Sequence, residues 1–306
     1  MHITFCCAAT EAEPWLNDLR AALPGATLSL WQPGAPAADY GIVWQPPQAF
    51  FDEQPQLKVA FNIGAGVDAL LRLNIAPATQ LVRLDDAGMG AQMAEYVCHA
   101  LIRHYRSFDG YDLDKAQGVW RQREVLPRSE MPVGIMGLGV LGTRVAQAVA
   151  QFDFPVNGWS RTAKDIPGVR CFHGAAGFHD FLAASKVLVS VLPATPETRD
   201  LINRDTLSRL QPGGYLINVA RGAQVVEEDL LALIDAGHMA GAALDVFRTE
   251  PLPAGHPFWA HPKIRMTPHT AALTIRADSI AQIATKIAAM QSGKPVVGLV
   301  DRQRGY

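Results

Sequence analysis

The stretch PVGIMGLGVLGTRVAQAVAQF, residues 132–152, decides the fold because a glycine-rich turn joins a short apolar run to a helical pattern. The turn reads GLGVLG and fits G-x-G-x-x-G, the pattern of a strand–turn–helix unit that binds a dinucleotide. Its first glycine permits the tight bend, the second lets the backbone approach a pyrophosphate, and the third allows close packing of helix on strand. The helix start adds unpaired N–H groups and a positive dipole. The residues predicted to surround the cofactor here are Gly137, Gly139, Val140, Leu141 and Gly142.

The loop WSRTAK, residues 159–164, indicates which dinucleotide is bound. About twenty residues beyond such a glycine turn, an acidic side chain would hydrogen-bond the ribose 2′-hydroxyl of NAD. This chain instead has Ser160 and Arg161, followed by Thr162 and Lys164. An arginine forms a bidentate contact with a 2′-phosphate, hydroxyls add hydrogen bonds, and a lysine adds a second cation. The loop therefore predicts NADP as the preferred cofactor, with NAD as the alternative.

Strand and helix patterns alternate in two series along the chain. The first series runs from ITFCCA to LVRLD, and the second begins at PVGIMG. Such alternation predicts an α/β protein with two doubly wound parallel sheets of the Rossmann or flavodoxin-like kind. A helical pattern from Gly90 to Asp109 separates the two series, and we expect the polar segment 110–130 after it to be irregular.

The size, charge and composition of the chain exclude several classes of protein. Its 306 residues, 49% of them hydrophobic, suffice for roughly two domains with buried cores. A net charge of −2 without a basic run predicts no nucleic-acid partner, and the apolar runs fall short of the ~20 residues that cross a bilayer. The N-terminus lacks a basic leader, so we expect a cytoplasmic protein. Neither the cysteines nor the histidines have ligand spacing, so we predict no metal site.

Three residues with suitable chemistry follow late strands of the second series. They are Arg221 in LINVARGA, Glu250 in LDVFRTEPLP and His269 in RMTPHTA. Reduction of a ketone needs a cation for the carboxylate and carbonyl, a proton donor for the new alkoxide, and a hydride source. Arg221 suits the first role and His269 the second, while a carboxylate such as Glu250 would stabilise the protonated imidazole. The nicotinamide would supply the hydride.

The stretches GLGVLG, LPATPET, LINVARG, LDVFRTEPLP and TPHTA, in this order and spacing, resemble the D-2-hydroxyacid dehydrogenases. Within that family, NIGAGVD, DDAGMGAQMAEYV and WSRT are most similar to the glyoxylate/hydroxypyruvate reductase A type. The resemblance implies reduction of a small 2-keto acid to its D-2-hydroxy acid, with glyoxylate and hydroxypyruvate as the preferred substrates. It also implies a substrate-binding domain formed by residues 1–95 and 276–306, with a dinucleotide-binding domain, residues 96–275, inserted between them.

The resemblance further implies individual roles. Arg221 would bind the carboxylate and keto oxygen of the substrate, His269 would be the acid/base, and Glu250 would pair with it. The loop NIGAGVD would offer backbone N–H groups near Ala65 and Gly66 to the substrate carboxylate, because its glycines permit close approach. Other residues are expected at the ligands: Trp44 at the substrate, and Pro193, Thr198, Val219, Ala220 and Asp245 at the cofactor.

Two other functions remain open at this point. Relatives of the resembled family act as corepressors, so the chain can also be interpreted as a nucleotide-sensing interaction protein on the same fold. A dehydrogenase for a larger 2-hydroxy acid is the second alternative, since the sequence does not state the volume of the pocket. The resemblance and the apolar surface of the helix at residues 90–109 also predict a homodimer formed through the cofactor domains.

Overall fold

The computed structural model of the chain describes residues 1–8 and 11–306, which form two compact units. The split unit comprises Met1–Met89 and Thr274–Tyr306 and thus contains both ends of the chain. The central unit comprises Gly90–Leu273. Each unit is an α/β structure built on a parallel sheet, which confirms the predicted fold class.

Within the described residues, the strands are β1 (His2–Cys7), β2 (Thr27–Leu30), β3 (Tyr40–Trp44), β4 (Val59–Asn62), β5 (Gln80–Arg83), β6 (Val133–Met136), β7 (Val156–Ser160), β8 (Val169–His173), β9 (Val187–Ser190), β10 (Gly214–Asn218), β11 (Met239–Leu244) and β12 (Ile264–Met266). The α-helices are α1 (Ala12–Ala22), α2 (Gln48–Glu53), α3 (Met89–Tyr105), α4 (Phe108–Ala116), α5 (Val140–Ala150), α6 (Ala176–Ala183), α7 (Arg204–Ser208), α8 (Glu227–Asp235) and α9 (Arg276–Gln291). Among the residues that the structure describes, no helix is both long enough and apolar enough to span a membrane.

Both sheets have a strand order that reverses once. The order is β2-β1-β3-β4-β5 in the split unit and β12-β11-β10-β9-β6-β7-β8 in the central unit. All of these neighbours pair in parallel. The first order is flavodoxin-like, and the second is the Rossmann order with one strand added. Ligands of such sheets bind beside the carboxyl ends of the strands at the reversal, which lies between β1 and β3 and between β6 and β9.

The sheet of the central unit is buried on both faces, which explains why its inner strands are nearly all apolar. Successive residues of a strand point to opposite faces. Ile135 of β6 accordingly belongs to a core with Val145 of α5, whereas Met136 belongs to a second core with Phe181 of α6. This packing holds β6 between two helical layers and fixes the start of the turn that follows it.

Some predicted details are wrong. The first part of segment 110–130 is helical and not irregular, because α4 extends to Ala116. This helix begins directly after Ser107, whose φ of 54° interrupts the helical run that starts with α3. Strand β8 was not predicted, since it lies at the edge of its sheet and its residues are only partly buried or exposed, without an apolar pattern. Residues 67–73, VDALLRL, have helical spacing in the sequence but form only a short 3₁₀ turn at Leu70–Arg72.

The last residues of the chain return to the sheet of the split unit. Leu299 forms an antiparallel bridge with Val82 of β5. Lys286 of α9 is buried, and its ammonium donates at 2.8 Å to the carbonyls of Arg83 and Val297 and to the Asp85 carboxylate. These acceptors offset the hydration that a buried charge loses. The tail is thereby tied to the strand that precedes the central unit.

Candidate functional site

The glycine turn after β6 is packed tightly on one side and open on the other. Gly137 has a φ of +108°, which glycine adopts without strain. A Cβ on Gly142 would lie 1.8 Å from the carbonyl oxygen of Gly137, so the first turn of α5 packs directly on the turn. A Cβ on Gly139 would instead meet no described atom within 4 Å. Because α5 begins at Val140 without a side-chain cap, its first N–H groups lie next to this open side.

The basic loop after β7 lies at the surface. Residues 161–164, which include Arg161 and Lys164, are exposed, whereas Ser160 is partly buried. The Ser160 hydroxyl donates to the carbonyl of Thr162 at 2.8 Å, so this predicted cofactor contact is engaged within the loop itself. The long cationic side chains are therefore the groups of this loop with the most access to a ligand.

The loop after β9 is held in a closed turn near the basic loop. The Thr198 hydroxyl donates to the carbonyl of Pro193 at 2.8 Å and accepts the N–H of Thr195 at 2.9 Å. The pKa of Glu197 is lowered, first by a hydrogen bond with Thr195 and by its own backbone, and then by the charge of Arg161. The strand order thus brings Glu197, an acidic side chain that sequence analysis missed, into the surroundings of Arg161.

Gln224 is a buried amide that joins two of the loops. It is 1% exposed, and its Nε2 donates to the carbonyls of Leu192 at 2.9 Å and Pro193 at 3.1 Å. Its Oε1 accepts the hydroxyl proton of Ser190 at 2.8 Å. The backbone N–H of Gln224 donates to the carbonyl of Arg221 at 3.3 Å. Sequence analysis also missed this residue, which ties the loop after β9 to the loop that carries the arginine.

Arg221 follows the carboxyl end of β10, directly after the buried residues Val219 and Ala220. Its Nη1 donates to the carbonyl of Ala220 at 2.7 Å. The amide of Asn218, at the end of the strand, accepts the N–H of Ala220 and donates to the carbonyl of Arg221, both at 3.1 Å. Buried side-chain hydrogen bonds therefore define the backbone from which the guanidinium extends.

His269 and Glu250 form a hydrogen-bonded pair. The imidazole Nδ1 lies 2.8 Å from Oε2 of Glu250, whose Oε1 accepts the N–H of Phe247 at 2.9 Å. Partial burial by itself raises the pKa of Glu250, but the hydrogen bonds from His269 and Phe247, together with the charges of His269 and Arg221, outweigh it and lower the pKa. The two side chains are 45% and 37% exposed. Because Nδ1 faces the carboxylate, Nε2 is the ring atom that can meet a reacting oxygen.

The loops after β10 and β11 are in backbone contact. A Cβ on Gly222 would lie 1.9 Å from the carbonyl carbon of Phe247, so only glycine permits this approach. Arg221 directly precedes Gly222, and Glu250 lies three residues after Phe247. The charge of Arg221 contributes to the lowered pKa of Glu250. The central unit thereby brings together the three residues Arg221, Glu250 and His269.

Asp245 lies at the carboxyl end of β11 and is 1% exposed. Its carboxylate accepts hydrogen bonds from the Thr267 hydroxyl at 2.5 Å and from the N–H groups of Thr270 and Ala271 at 2.8 Å. In this structure Asp245 therefore holds the loop that carries His269. Its predicted contact with the cofactor stays a prediction.

The predicted substrate residues of the split unit follow β3 and β4. Trp44 is the last residue of β3, and a Cβ on Gly64 would lie 2.4 Å from its ring, so the indole packs against the loop after β4. Ala65 and Gly66 in that loop are partly exposed. The buried amide of Asn62 donates to the carbonyls of Gly64 and Gly66 at 2.9 Å each, which fixes the path of the loop. Among the described residues, no group of His, Cys, Asp or Glu side chains is arranged to hold a metal ion.

A family described as D-isomer specific 2-hydroxyacid dehydrogenase, NAD binding domain, matches residues 98–271. The chain belongs to this dehydrogenase family. It is 43% identical over the full length of both chains to glyoxylate/hydroxypyruvate reductase A of Yersinia enterocolitica, and 44% identical to that of Serratia proteamaculans. The comparisons confirm the resemblance inferred from the motifs. They show that the chain is an NAD(P)-dependent oxidoreductase.

Solved structures of the family are similar over the whole chain. A D-isomer specific 2-hydroxyacid dehydrogenase from Xanthobacter autotrophicus, in complex with NADPH and MES, is 39% identical with a TM-score of 0.95 and covers 100% of this chain and 99% of its own. The NADPH-dependent glyoxylate/hydroxypyruvate reductase of Sinorhizobium meliloti, in complex with NADP and sulfate, is 34% identical with a TM-score of 0.94 over the same shares. The two-domain dehydrogenase fold is therefore present in this chain.

The glycine turn fits the pyrophosphate of the cofactor that the family binds. The open side at Gly139 has room for a phosphate, and the uncapped start of α5 has N–H groups to donate to it. Gly142 is needed for the backbone packing that sets this geometry. The two glycines thus have separate tasks, one toward the ligand and one toward the fold.

Substitution of these two glycines separates the tasks. Gly142→Ala should lower the unfolding temperature of the cofactor-free protein, because the methyl group collides with the Gly137 carbonyl. Gly139→Ala should leave the unfolding temperature nearly unchanged, because φ is −77° there, but it should weaken NADPH binding by filling the open side. Thermal unfolding and NADPH fluorescence titration measure the two effects. If Gly139→Ala bound NADPH with unchanged affinity, the open side of the turn would not be part of the cofactor site.

Proposed function

We propose that this dehydrogenase reduces glyoxylate and hydroxypyruvate with NADPH, forming the D-2-hydroxy acid where the product is chiral. The observation that carries the proposal is the His269–Glu250 hydrogen bond beside Arg221 at the carboxyl edge of the central sheet. An accessible imidazole held by a carboxylate is suited to proton transfer, and a nearby guanidinium is suited to a 2-keto acid. The names of the relatives with 43–44% identity support the choice of substrates.

The proposed chemistry uses three side chains of the central unit. Arg221 holds the substrate carboxylate and polarises the keto oxygen. The nicotinamide, when bound, supplies the hydride that reaches the carbonyl carbon. His269 gives the proton on Nε2 to the carbonyl oxygen, so the keto group gains one hydride and one proton. Glu250 keeps Nδ1 oriented and stabilises the imidazolium before the proton leaves.

The remaining predicted contacts complete the proposed site. In this proposal the split unit binds substrate and the central unit binds the cofactor; the central unit, Gly90–Leu273, lies within a few residues of the predicted cofactor domain, residues 96–275. Trp44 and the backbone at Ala65 and Gly66 contact the substrate. The contacts to the cofactor are proposed for Gly137, Gly139, Val140, Leu141, Gly142, Ser160, Arg161, Thr162, Lys164, Pro193, Thr198, Val219, Ala220 and Asp245.

Loss of the imidazole tests the reaction itself. His269→Ala should lower kcat for glyoxylate with NADPH by about 10²- to 10⁴-fold, because the developing alkoxide has no proton donor. Arg221→Ala should raise KM and also lower kcat, because the arginine acts in binding and in turnover. The exposed His179 of α6 provides the control, and His179→Ala should keep full activity. Near-normal turnover by His269→Ala would exclude this histidine as the acid.

A failure of the unsubstituted protein to turn over would have a different meaning. If a panel of 2-keto acids, from glyoxylate to larger ones, gave no oxidation of NADPH or NADH, the nucleotide-sensing alternative would be favoured. Preferential turnover of a larger 2-keto acid would instead favour the second dehydrogenase alternative. Steady-state kinetics with this panel therefore discriminates between the three functions.

The basic loop determines cofactor choice in this proposal. Arg161→Ala should lower kcat/KM for NADPH by about ten- to a hundredfold, the range expected for one charge-assisted contact, with little change for NADH. Arg209, which pairs with Asp205 on α7, is the control for removal of a surface arginine. Kinetics with both cofactors at low and moderate salt measure the preference. Equal use of NADPH and NADH by the unsubstituted enzyme would mean that the loop does not read the 2′-phosphate.

We also propose that the active species is a homodimer. Most of the apolar side of α3 is buried in the core of the central unit, so it does not supply the surface that the sequence suggested. Support comes instead from the segment after α4, where Trp120 is fully exposed and Val125 and Leu126, five and six residues further along the chain, are exposed as well. Large apolar side chains exposed on one segment are a feature of protein–protein interfaces.

Sedimentation tests the assembly. The unsubstituted protein should sediment as a dimer at micromolar concentration, and Trp120→Asp should shift it toward monomer, because a charge cannot be buried in an apolar interface without a partner. Trp259 is exposed in the same unit, and Trp259→Asp is the matched control that should remain dimeric. A monomeric unsubstituted protein would contradict the proposal.

A cytoplasmic location is part of the same proposal. Cys6, Cys7, Cys98 and Cys171 are free thiols, which supports a reducing compartment.

A further inference from the structure

The backbone of His269 has a conformation that its surroundings must maintain. Its φ is 56°, in the left-handed region that residues other than glycine rarely adopt. The N–H of His269 donates to the backbone carbonyls of Asp245 at 2.8 Å and Thr267 at 3.1 Å. The Glu250 contact orients the imidazole ring, whereas these backbone contacts fix the position of the Cα atom from which the side chain extends. The position of the imidazole therefore depends on the segment 267–271.

The Asp245 carboxylate holds that segment on both sides of His269. One oxygen accepts the Thr267 hydroxyl at 2.5 Å and the N–H of Thr270 at 2.8 Å, and the other accepts the N–H of Ala271 at 2.8 Å. Asp245 is 1% exposed, so these donors replace the water that the carboxylate has lost. In a buried site such hydrogen bonds are strong, and loss of one partner is costly.

Tyr96 of α3 completes this set of contacts. Its hydroxyl lies 2.7 Å from Oγ1 of Thr267. A threonine hydroxyl has one proton, and the proton of Thr267 is engaged with Asp245, so Tyr96 donates and Thr267 accepts. Partial burial raises the pKa of Tyr96, and the phenol therefore keeps its proton at neutral pH. The order of donation is Tyr96 to Thr267 to Asp245.

The same face of α3 also contacts the chain two residues beyond this segment. Gln92 lies one helical turn before Tyr96, so both side chains project from one face. The Gln92 amide donates to the carbonyl of Leu273 at 2.9 Å and accepts the N–H of Leu273 at 3.2 Å. Helix α3 thus contacts the chain on both sides of His269, at Thr267 and at Leu273, the last residue of the central unit.

We infer that Tyr96 is a positioning residue for the reduction: its hydroxyl acts through Thr267 and Asp245 to hold His269 where its Nε2 meets the substrate. The inference rests on the proposed function, because it assigns His269 the role of proton donor. Tyr96 itself contacts neither ligand in this scheme. Asp245 keeps its backbone donors Thr270 and Ala271 when the Tyr96 hydroxyl is removed, so we expect the effect on turnover and not on the binding of substrate or cofactor.

Removal of single hydroxyl groups tests the inference. Tyr96→Phe should lower kcat by about three- to tenfold, the range for one lost hydrogen bond, while KM for glyoxylate and NADPH changes by less than about twofold. Thr267→Val should lower kcat further, since both neighbours lose their partner, and Thr267→Ser should restore turnover because it keeps the hydroxyl. Tyr105, on the same helix, donates to the Leu126 carbonyl, and Tyr105→Phe is the matched control with unchanged kinetics.

A second measurement does not depend on activity. The imidazole resonances of His269 in the cofactor-free protein are identified by their absence from the His269→Asn spectrum. They should shift or broaden in Tyr96→Phe and stay in place in Tyr105→Phe. In the double variant Tyr96→Phe/Thr267→Val, the loss of kcat should be no greater than in Thr267→Val alone, because both substitutions break one chain of contacts.

The outcomes separate the inference from the proposed function. An unsubstituted protein without reductase activity contradicts the proposed function, whatever the spectra show. An active unsubstituted enzyme whose Tyr96→Phe variant keeps its kcat and its His269 resonances overturns only the inference. A rise in KM equal to the fall in kcat/KM would also overturn it, because that result places Tyr96 in ligand binding.

Discussion

Parallel pairing in the central sheet is the constraint on which the candidate site depends. Since every neighbouring pair from β12 to β8 is parallel, the carboxyl ends of all these strands lie along one edge. The glycine turn, the basic loop, the loop of Arg221 and the segment of His269 each follow one of those ends. Residues up to about 130 positions apart in the chain, from Gly137 to His269, are brought to that edge by the parallel pairing of the strands.

The parts of the molecule that could be predicted from sequence are those with local signatures. The glycine turn is visible because three separate steric demands act within six residues, and inner strands are visible because burial on both faces makes them apolar. Strand β8 has neither property, since it lies at an edge where its side chains stay partly in water. Helix α4 is short and follows a residue with positive φ, so a continuous helical pattern conceals the break at Ser107.

The residues that hold the site in place could not be predicted, for a physical reason. Gln224 and Asn218 act through hydrogen bonds whose partners are set by the tertiary fold, and Tyr96 meets Thr267 across 171 positions. Asp245 was expected at the cofactor, but its hydrogen bonds to the His269 loop were not predicted. Asparagine, glutamine and aspartate are mostly found exposed at the protein surface, so their presence in a sequence does not indicate a buried hydrogen-bonding role. Only the arrangement of the loops shows that these side chains are buried.

Accessibility separates the groups proposed for chemistry from the groups that hold them. His269 and Glu250 are 45% and 37% exposed, as a proton donor and its partner must be if a substrate is to reach them. Asp245 and Gln224 are each 1% exposed, and their hydrogen bonds do not compete with water. An exposed pair alone would sample many geometries, and a buried network alone would meet no substrate. The central unit combines the two. The buried Asp245 carboxylate hydrogen-bonds the segment 267–271, and that segment carries the accessible imidazole of His269.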